Sequence, residues 1–266
     1  MESSRPYFSI VTVSFNSAGS IERTLRSVLV QDFTDYEYIV VDGASTDGTM
    51  DVVKRLEPEF EGRMKWSSEP DGGIYDAFNK GCRKAEGRFV WIVNSDDYIE
   101  PGALSEVKRF IDSCSDCADP IISCGLRMVD TNGKELGTTI YSADDLEWRM
   151  SVDSIAFAHP ATFIPKSKYE KYGYYDTRYR IMADLDWSRK VWISGETIKY
   201  APFIVTNMTT GGASTKLDLK KNIADRKYYF SKFYATGKER SLRLIKWLWR
   251  YLKGKLKDRL FLSNNA

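Results

Sequence analysis

Histidine is nearly absent from this sequence, with one in 266 residues, and cysteine is scarce, with four. Cys82, Cys114, Cys117 and Cys124 are too few and too unevenly spaced for a disulfide scaffold in a chain of this length, and free thiols fit a reducing compartment. Cys114 and Cys117 make a C-x-x-C pair to which Cys124 could add a third ligand. The sole histidine, His159, lies far along the chain, which counts against a closed zinc site. No window reaches the roughly 18 uninterrupted apolar residues that a membrane span requires, and residues 1–6 show no apolar stretch behind a basic start. The expectation is a cytosolic chain without a signal peptide. Internal repeats, low-complexity tracts and Pro/Gly/Ser linkers are also missing, so the second half should pack directly against the first.

Net charge is small, at +2, but unevenly spread. Residues 238–259 hold nine Lys/Arg against two acids, which leaves thirty basic and thirty-five acidic residues elsewhere. A mildly acidic body has no general attraction for nucleic acid, and no nucleic-acid partner is expected.

What is present is material for a core: 42% hydrophobic residues and 14% aromatics, enough for one large or two small domains. Residues 8–15, 36–41, 64–67 and 89–93 are short runs rich in β-branched and aromatic side chains and read as strands. Between them the pattern turns helical. Ile21, Leu25, Val28 and Leu29 recur at i, i+4, i+7 and i+8 behind Ser20, a possible cap. Strand, helix, strand repeated three times predicts a mostly parallel sheet, which binds ligands beyond the carboxyl ends of its strands. The polar clusters fall at those ends: Phe15-Asn16-Ser17, then residues 42–48, 69–73 and 94–97. Beyond Pro101 the sequence predicts a helix to Ile111, a strand over 121–128, a hairpin turn at Asn132-Gly133, a mixed aromatic-rich stretch over 141–215, and a helix from about Ser241.

TVSFN at residues 12–16, VVDGASTDGT at 40–49, PDGGIYDAFNKG at 70–81 and NSDDYIEP at 94–101 resemble family 2 glycosyltransferases in letters, order and spacing. HPATFIP at 159–165 and YDTRYRIMADLDWSRK at 175–190 extend the resemblance to roughly residues 7–215. It implies an α/β chain of GT-A type, a Rossmann-like, mostly parallel sheet flanked by helices. The GT-A domain would cover 1–215, with a donor-binding half over about 7–100 and an acceptor half over about 101–215. A basic, amphipathic helical extension would follow over 216–266. The implied activity is inverting, metal-dependent transfer of a sugar from a nucleotide-diphosphate sugar, a UDP-sugar first, to a lipid-linked saccharide acceptor. The implied setting is the synthesis of bacterial surface polysaccharide such as O-antigen or capsule.

Asp96 and Asp97 follow a buried strand, where carboxylate oxygens can hold a hard cation, Mg or Mn, without histidine. By position Asp96 matches the last carboxylate of the family's D-x-D and is the expected metal ligand. Asn94 departs from that pattern by removing a charge and is assigned with Ser95 to donor binding. Alone, the tetrad would read as a polar turn capping the next helix. The resemblance gives Asp42 the imide of a uracil-like base, in a turn where Gly43 and Ala44 replace the more usual aspartate and glycine, with Ser45 beside it. Asp47 reads as a cap for the helix starting at Thr49. Thr12, Phe15 and Asn16 are expected around base and ribose, Phe15 packing on the flat base or else serving as a core aromatic. Asp71, Gly73, Asp76, Asn79 and Lys80 complete the donor set. Asp76, Asn79 and Lys80 share one helical face, where a capping network is the alternative.

Inverting transfer needs a base for the acceptor hydroxyl. Asp184, which aligns with the aspartate of the family's E-D-x-D-L-x-x-R, is the expected base, although Ala183 replaces the glutamate. His159 is the expected acceptor contact, or else a structural hydrogen-bonder.

On a helical wheel Leu242, Ile245, Trp249, Leu252, Leu256 and Leu260 share one arc, widened by Leu248, beside a cationic arc, with Trp247, Trp249 and Tyr251 as residue types of the lipid headgroup level. Residues 241–260 are therefore expected on an anionic membrane surface, peripheral to the inner face of the plasma membrane. Packing on the chain's own body is the alternative. Two rival functions remain: a nucleotidyltransferase, disfavoured because Ser14 to Ser20 lacks a basic phosphate loop, and a non-catalytic binding partner with a degenerate donor site.

Overall fold

The computed structural model describes residues 5–114, 119–211 and 219–263, and side chains as far as residue 253. Cys117 lies outside these residues, while Cys82, Cys114 and Cys124 form no disulfide among the described residues. The chain divides into two compact units, Met1–Arg178 with Ala183–Lys216, and Tyr179–Met182 with Leu217–Ala266.

In the first unit, β1 (Phe8–Ser14), β2 (Tyr36–Asp42), β3 (Met64–Ser68) and β4 (Phe89–Ile92) alternate with α1 (Ile21–Leu29), α2 (Thr49–Leu56) and α3 (Ile74–Lys84). Every residue of β1, β2 and β4 is buried. That is why their apolar runs are nearly continuous, since a parallel sheet is covered on both faces. α1 buries Ile21, Leu25 and Val28, the periodic residues of the sequence. Ser20 precedes it but makes no side-chain capping bond; the chain turns instead through the Ser20 and Ile21 amides onto the Ser17 carbonyl.

Beyond β4 follow β5 (Tyr98–Ile99), α4 (Ala103–Ser113), β6 (Ile121–Val129), β7 (Glu135–Thr139), α5 (Leu146–Ser151), β8 (Thr162–Pro165), α6 (Lys166–Tyr172), α7 (Ala183–Ile193) and β9 (Ile198–Thr209). Among the described residues the strands join in one sheet of order β3-β2-β1-β4-β8-β6-β9-β5, with β7 paired to β6. β1, β2, β3 and β4 are parallel. β8 runs antiparallel to β4 and β6, β7 to β6, and β5 to β9, while β6 and β9 are parallel. The parallel expectation therefore describes the first four strands, and the rest of the sheet is mixed. The β4–β8 pairing joins the two parts of the sheet, and Asn132-Gly133 turns the β6–β7 hairpin.

Strand order reverses at β1, which has β2 on one side and β4 on the other. The crevice at this switch point lies beyond Ser14, Asp42, Ser68 and Ile92, which end neighbouring strands on one edge of the sheet.

Glu196, after α7, ties that helix to α6. Its carboxylate accepts from Lys168 Nζ at 2.5 Å, Lys171 Nζ at 2.8 Å and the Tyr172 hydroxyl. Burial pushes this carboxyl up, but the three donors outweigh burial and hold it down to about 2. A depressed carboxyl stabilises the fold above its ordinary range and loses that contribution as pH falls from about 4.5 toward 2. Glu196→Gln is expected to cost about 1 kcal/mol at pH 7, roughly 2 to 4 °C in Tm, and to flatten the fall of stability across that acid window, as read by melts at a series of pH values.

The second unit holds α8 (Leu219–Phe233) and α9 (Gly237–Ser263). Asp225 of α8 accepts the Arg180 and Ile181 amides, each at 2.9 Å, and Tyr179 packs on Tyr228 at 4.9 Å. The terminal helix thus begins four residues before the expected Ser241.

Candidate active site

The loops after β1 and β2 are laced together. The Asn16 amide donates to Ser45 Oγ at 2.8 Å, the Thr46 amide to Asn16 Oδ1 at 3.0 Å, the Ser17 amide to Thr49 Oγ1 at 2.7 Å and the Ala18 amide to Asp47 at 3.0 Å. Asp47 also accepts the Thr49 amide, so it serves both loops. Phe15 stands out of this lacing with 65% of its surface exposed. A Cβ on Gly43 would lie 2.6 Å from Asp71 Oδ2 and 3.4 Å from the Phe15 ring. The Asp71 carboxylate therefore packs directly over the Gly43 backbone with the Phe15 ring beside it, and a side chain there would push it away, which accounts for Gly43.

Asn16 and Ala44 both have positive φ, 49° and 62°. Asparagine tolerates that conformation, whereas alanine is strained by about 1 to 2 kcal/mol. Ala44→Gly is expected to stabilise the protein by about 1 kcal/mol net of added chain entropy, raising Tm by a few degrees in a thermal melt.

Asp42 is fully buried at the end of β2. Oδ1 accepts from Ser14 Oγ at 2.9 Å and Ser45 Oγ at 2.5 Å, and Oδ2 from the Ser45 amide at 2.8 Å and Ser68 Oγ at 2.7 Å. Burial raises its proton affinity, but these four donors win and hold the carboxyl below its ordinary range. Two oxygens with two acceptor positions each are then used up. A base imide can bond to Asp42 only in place of one of these hydroxyls, so the role expected for it requires Ser14, Ser45 or Ser68 to let go. Thr12 is also fully buried, and its Oγ1 accepts the Tyr38 hydroxyl at 2.9 Å, so its side chain braces the sheet and does not reach the donor crevice.

The turn over residues 94–97 is held from three elements. Arg23 of α1 and Thr209 of β9 bond the Asp96 carbonyl at 2.9 and 2.6 Å, Thr24 bonds the Asp97 carbonyl, and Ser95 shares a 2.8 Å bond with Ser17. Asp97 is buried, with Oδ1 accepting the Thr209 amide and Oδ2 the Asn94 amide group. Burial, then the neighbouring Asp96 charge, pushes its carboxyl up to about 7. Asp96 is half-buried, and Asn94 Oδ1 is buried with no hydrogen-bond partner among the described residues.

Among the described residues no three His, Cys, Asp or Glu side chains are gathered as a metal site, so Asp42, Asp96 and Asp184 do not share one cluster. The oxygens at this turn nonetheless fit a hard cation that shares ligands with donor phosphates, because such ions take one or two carboxylates and leave the remaining positions to substrate and water.

α3 carries the connection toward the acceptor half. Tyr75 Oη donates to Asp184 Oδ1 at 3.1 Å, across 109 residues of sequence. Asp184 lies in the first turn of α7. Asp76, Asn79 and Lys80 do not present one binding face. Asp76 accepts the Gly72 amide at 3.0 Å, and Lys80 bonds the Pro70 carbonyl at 2.9 Å and Glu69 at 3.1 Å, lacing the loop before the helix. Gly73, whose amide donates to Asp71 at 2.8 Å, starts the helix at φ 118°. Asn79 is 3% exposed and exchanges two bonds with the Tyr175 backbone, at 2.8 and 2.9 Å, so it is removed from the donor set by burial. His159, expected at the acceptor, is buried too. It stacks on Phe78 at 5.3 Å and bonds the Tyr175 hydroxyl at 2.9 Å, and burial holds its imidazole below the ordinary range against the opposing pull of Asp184.

Two residues outside the expected set matter here. Tyr75 sits inside the PDGGIYDAFNKG motif, but nothing local marks its partner. Ser17 joins the β1 loop to the metal-candidate turn, and its place in the first polar cluster was the available signal.

The family model described as Glycosyl transferase family 2 matches residues 9–173. The chain is 27% identical over 225 residues to a PGL/p-HBAD biosynthesis glycosyltransferase of Mycobacterium tuberculosis, covering 84% of this chain and 82% of that one. It is 28% identical over 213 residues to an uncharacterized glycosyltransferase of the same species, covering 79% and 78%. Its fold is similar to that of Staphylococcus aureus TarS 1–349 in complex with UDP-GlcNAc, with a TM-score of 0.68 at 20% identity over 91% of this chain and 71% of that one. It is also similar to that of the mannosyltransferase PcManGT of Pyrobaculum calidifontis in complex with GDP-Man and Mn2+, with a TM-score of 0.62 at 19% identity over 88% and 66%.

Proposed function

The chain belongs to glycosyl transferase family 2 and has the GT-A fold, and from that premise we propose that it transfers a sugar, with inversion, from a nucleoside-diphosphate donor to a saccharide acceptor carried on a lipid. A UDP-sugar is the donor favoured. Surface polysaccharide synthesis is the setting proposed. The observation that carries the reading is the Tyr75–Asp184 hydrogen bond, because it holds a carboxylate beside the helix that the donor loop caps.

In this scheme Phe15 packs against the base, and Asp71, seated over Gly43, lines the nucleoside site. Asp184 takes the acceptor hydroxyl's proton as that oxygen attacks the anomeric carbon from the face opposite the diphosphate. Tyr75 donates to one carboxylate oxygen and so presents the other in a set direction. Asp96 would hold a divalent cation, which would supply Lewis-acid stabilisation of the departing diphosphate.

Tyr75→Phe keeps the ring packing and deletes the bond. It is expected to lower kcat about tenfold with KM for the donor unchanged, a split that separates orientation of the base from donor binding in steady-state kinetics. The reading as a whole is tested by screening nucleotide sugars for hydrolysis with and without manganese. Slow transfer to water needs no acceptor, and one donor should be hydrolysed in a metal-stimulated reaction. Calorimetry showing that no nucleoside diphosphate binds, with or without manganese, would leave a non-catalytic protein instead.

A further inference from the structure

The terminal helix α9 has a covered and an exposed face, and its apolar side chains lie on both. Leu244, Trp247, Leu248 and Tyr251 are partly buried. Trp247 packs on Tyr251 at 5.4 Å and under the Arg226 guanidinium of α8 at 5.3 Å, so two of the three aromatics expected at a lipid surface are used within the helical unit. Leu242, Ile245, Trp249 and Leu252 are instead 51%, 62%, 63% and 55% exposed. At 3.6 residues per turn these four fall in an arc of about 80°. Lys246, Arg250 and Lys253, exposed as well, fill the adjoining arc. Within the helical unit, then, this strip is left uncovered.

Large apolar side chains aligned in water mark a surface meant to be covered. We propose that this strip seats in the interface of an anionic phospholipid membrane, with the helix lying in the plane of the surface. Leu242, Ile245, Trp249 and Leu252 enter the boundary between headgroups and acyl chains, and Lys246, Arg250 and Lys253 lie against phosphates. Charge selects this occupant. No acidic residue occurs between 240 and 253, so the same strip on a second copy offers no counter-charge, whereas anionic headgroups do. Among the described residues no helix is long and apolar enough to cross a membrane, which leaves the surface mode. The proposal does not depend on the donor chemistry.

Sedimentation of the full chain with vesicles tests it. Binding is expected to phosphatidylglycerol-containing vesicles and not to pure phosphatidylcholine, and it should weaken as salt is raised. Changing Lys246, Arg250 and Lys253 together to Gln should weaken binding roughly a hundredfold. Changing Leu242, Ile245, Trp249 and Leu252 together to Ser should abolish it, while circular dichroism shows the parent's helix content in both variants. Absence of binding by the parent chain, equal binding to neutral vesicles, or undiminished binding by either variant overturns the proposal. So does a concentration-dependent dimer, seen by analytical ultracentrifugation, that the Ser variant dissolves. Failure of donor turnover with membrane binding intact would instead strike the transferase reading.

Discussion

Asp184→Asn is expected to lower sugar transfer by about 100- to 10,000-fold, the range that a positioned base contributes, while donor affinity measured by calorimetry stays at the parent value. The asparagine keeps an oxygen for the Tyr75 hydroxyl, so the link between α3 and α7 survives, and only the capacity to take a proton is removed. Two features make Asp184 the carboxylate to test. Asp42 is committed to four donors and Asp97 to the Thr209 amide and Asn94, and Asp96 is the carboxylate assigned to the cation. Asp184 also stands on α7, outside the loops proposed for the donor. Donor hydrolysis offers a second reading of the same variant, since water too must lose a proton. Transfer by Asp184→Asn at the parent rate would move the base elsewhere.

The second large effect is expected from Asp96→Asn. If this carboxylate anchors a cation, its loss removes several kcal/mol of charge stabilisation, which corresponds to about a thousandfold in metal-stimulated turnover. Chelator treatment of the parent should reach the same residual rate. Manganese titration in the presence of UDP, followed by loss of the free-ion signal in electron paramagnetic resonance, gives a readout independent of activity: the variant should bind manganese more weakly while the Ser17–Ser95 and Arg23 contacts keep the turn in place. A variant that binds manganese and turns over like the parent would remove Asp96 from the metal role. The charge already missing at Asn94 makes this a sharp test, because a site with few carboxylates has none to spare.

Much of the donor half was legible because its elements are local. Continuous apolar runs announced strands covered on both faces, the spacing of Ile21, Leu25 and Val28 announced the face of α1, and glycine and acid clusters marked strand ends. Side-chain direction within those clusters was not legible. Asp76, Asn79 and Lys80 look equivalent at i, i+3 and i+4, yet Asn79 faces Tyr175, ninety-six residues on, and the other two face their own loop. Thr12 and His159 suit a ligand by residue type and were taken inward by Tyr38 and Tyr175. In each case the partner that decided the matter comes from a distant segment, and no local period encodes it.

From the residues alone came the sheet's first four strands, the loops that meet at its edge, the family, and the amphipathic basic helix at the end. Only the folded chain decided which carboxylates have lone pairs left, that Tyr75 meets Asp184, and that Leu242, Ile245, Trp249 and Leu252 face outward while Trp247 and Tyr251 do not. Apolar periodicity is written along the chain, whereas the satisfaction of a polar atom depends on donors and acceptors that arrive from elsewhere. That second quantity exists only once the strands and helices have been brought together.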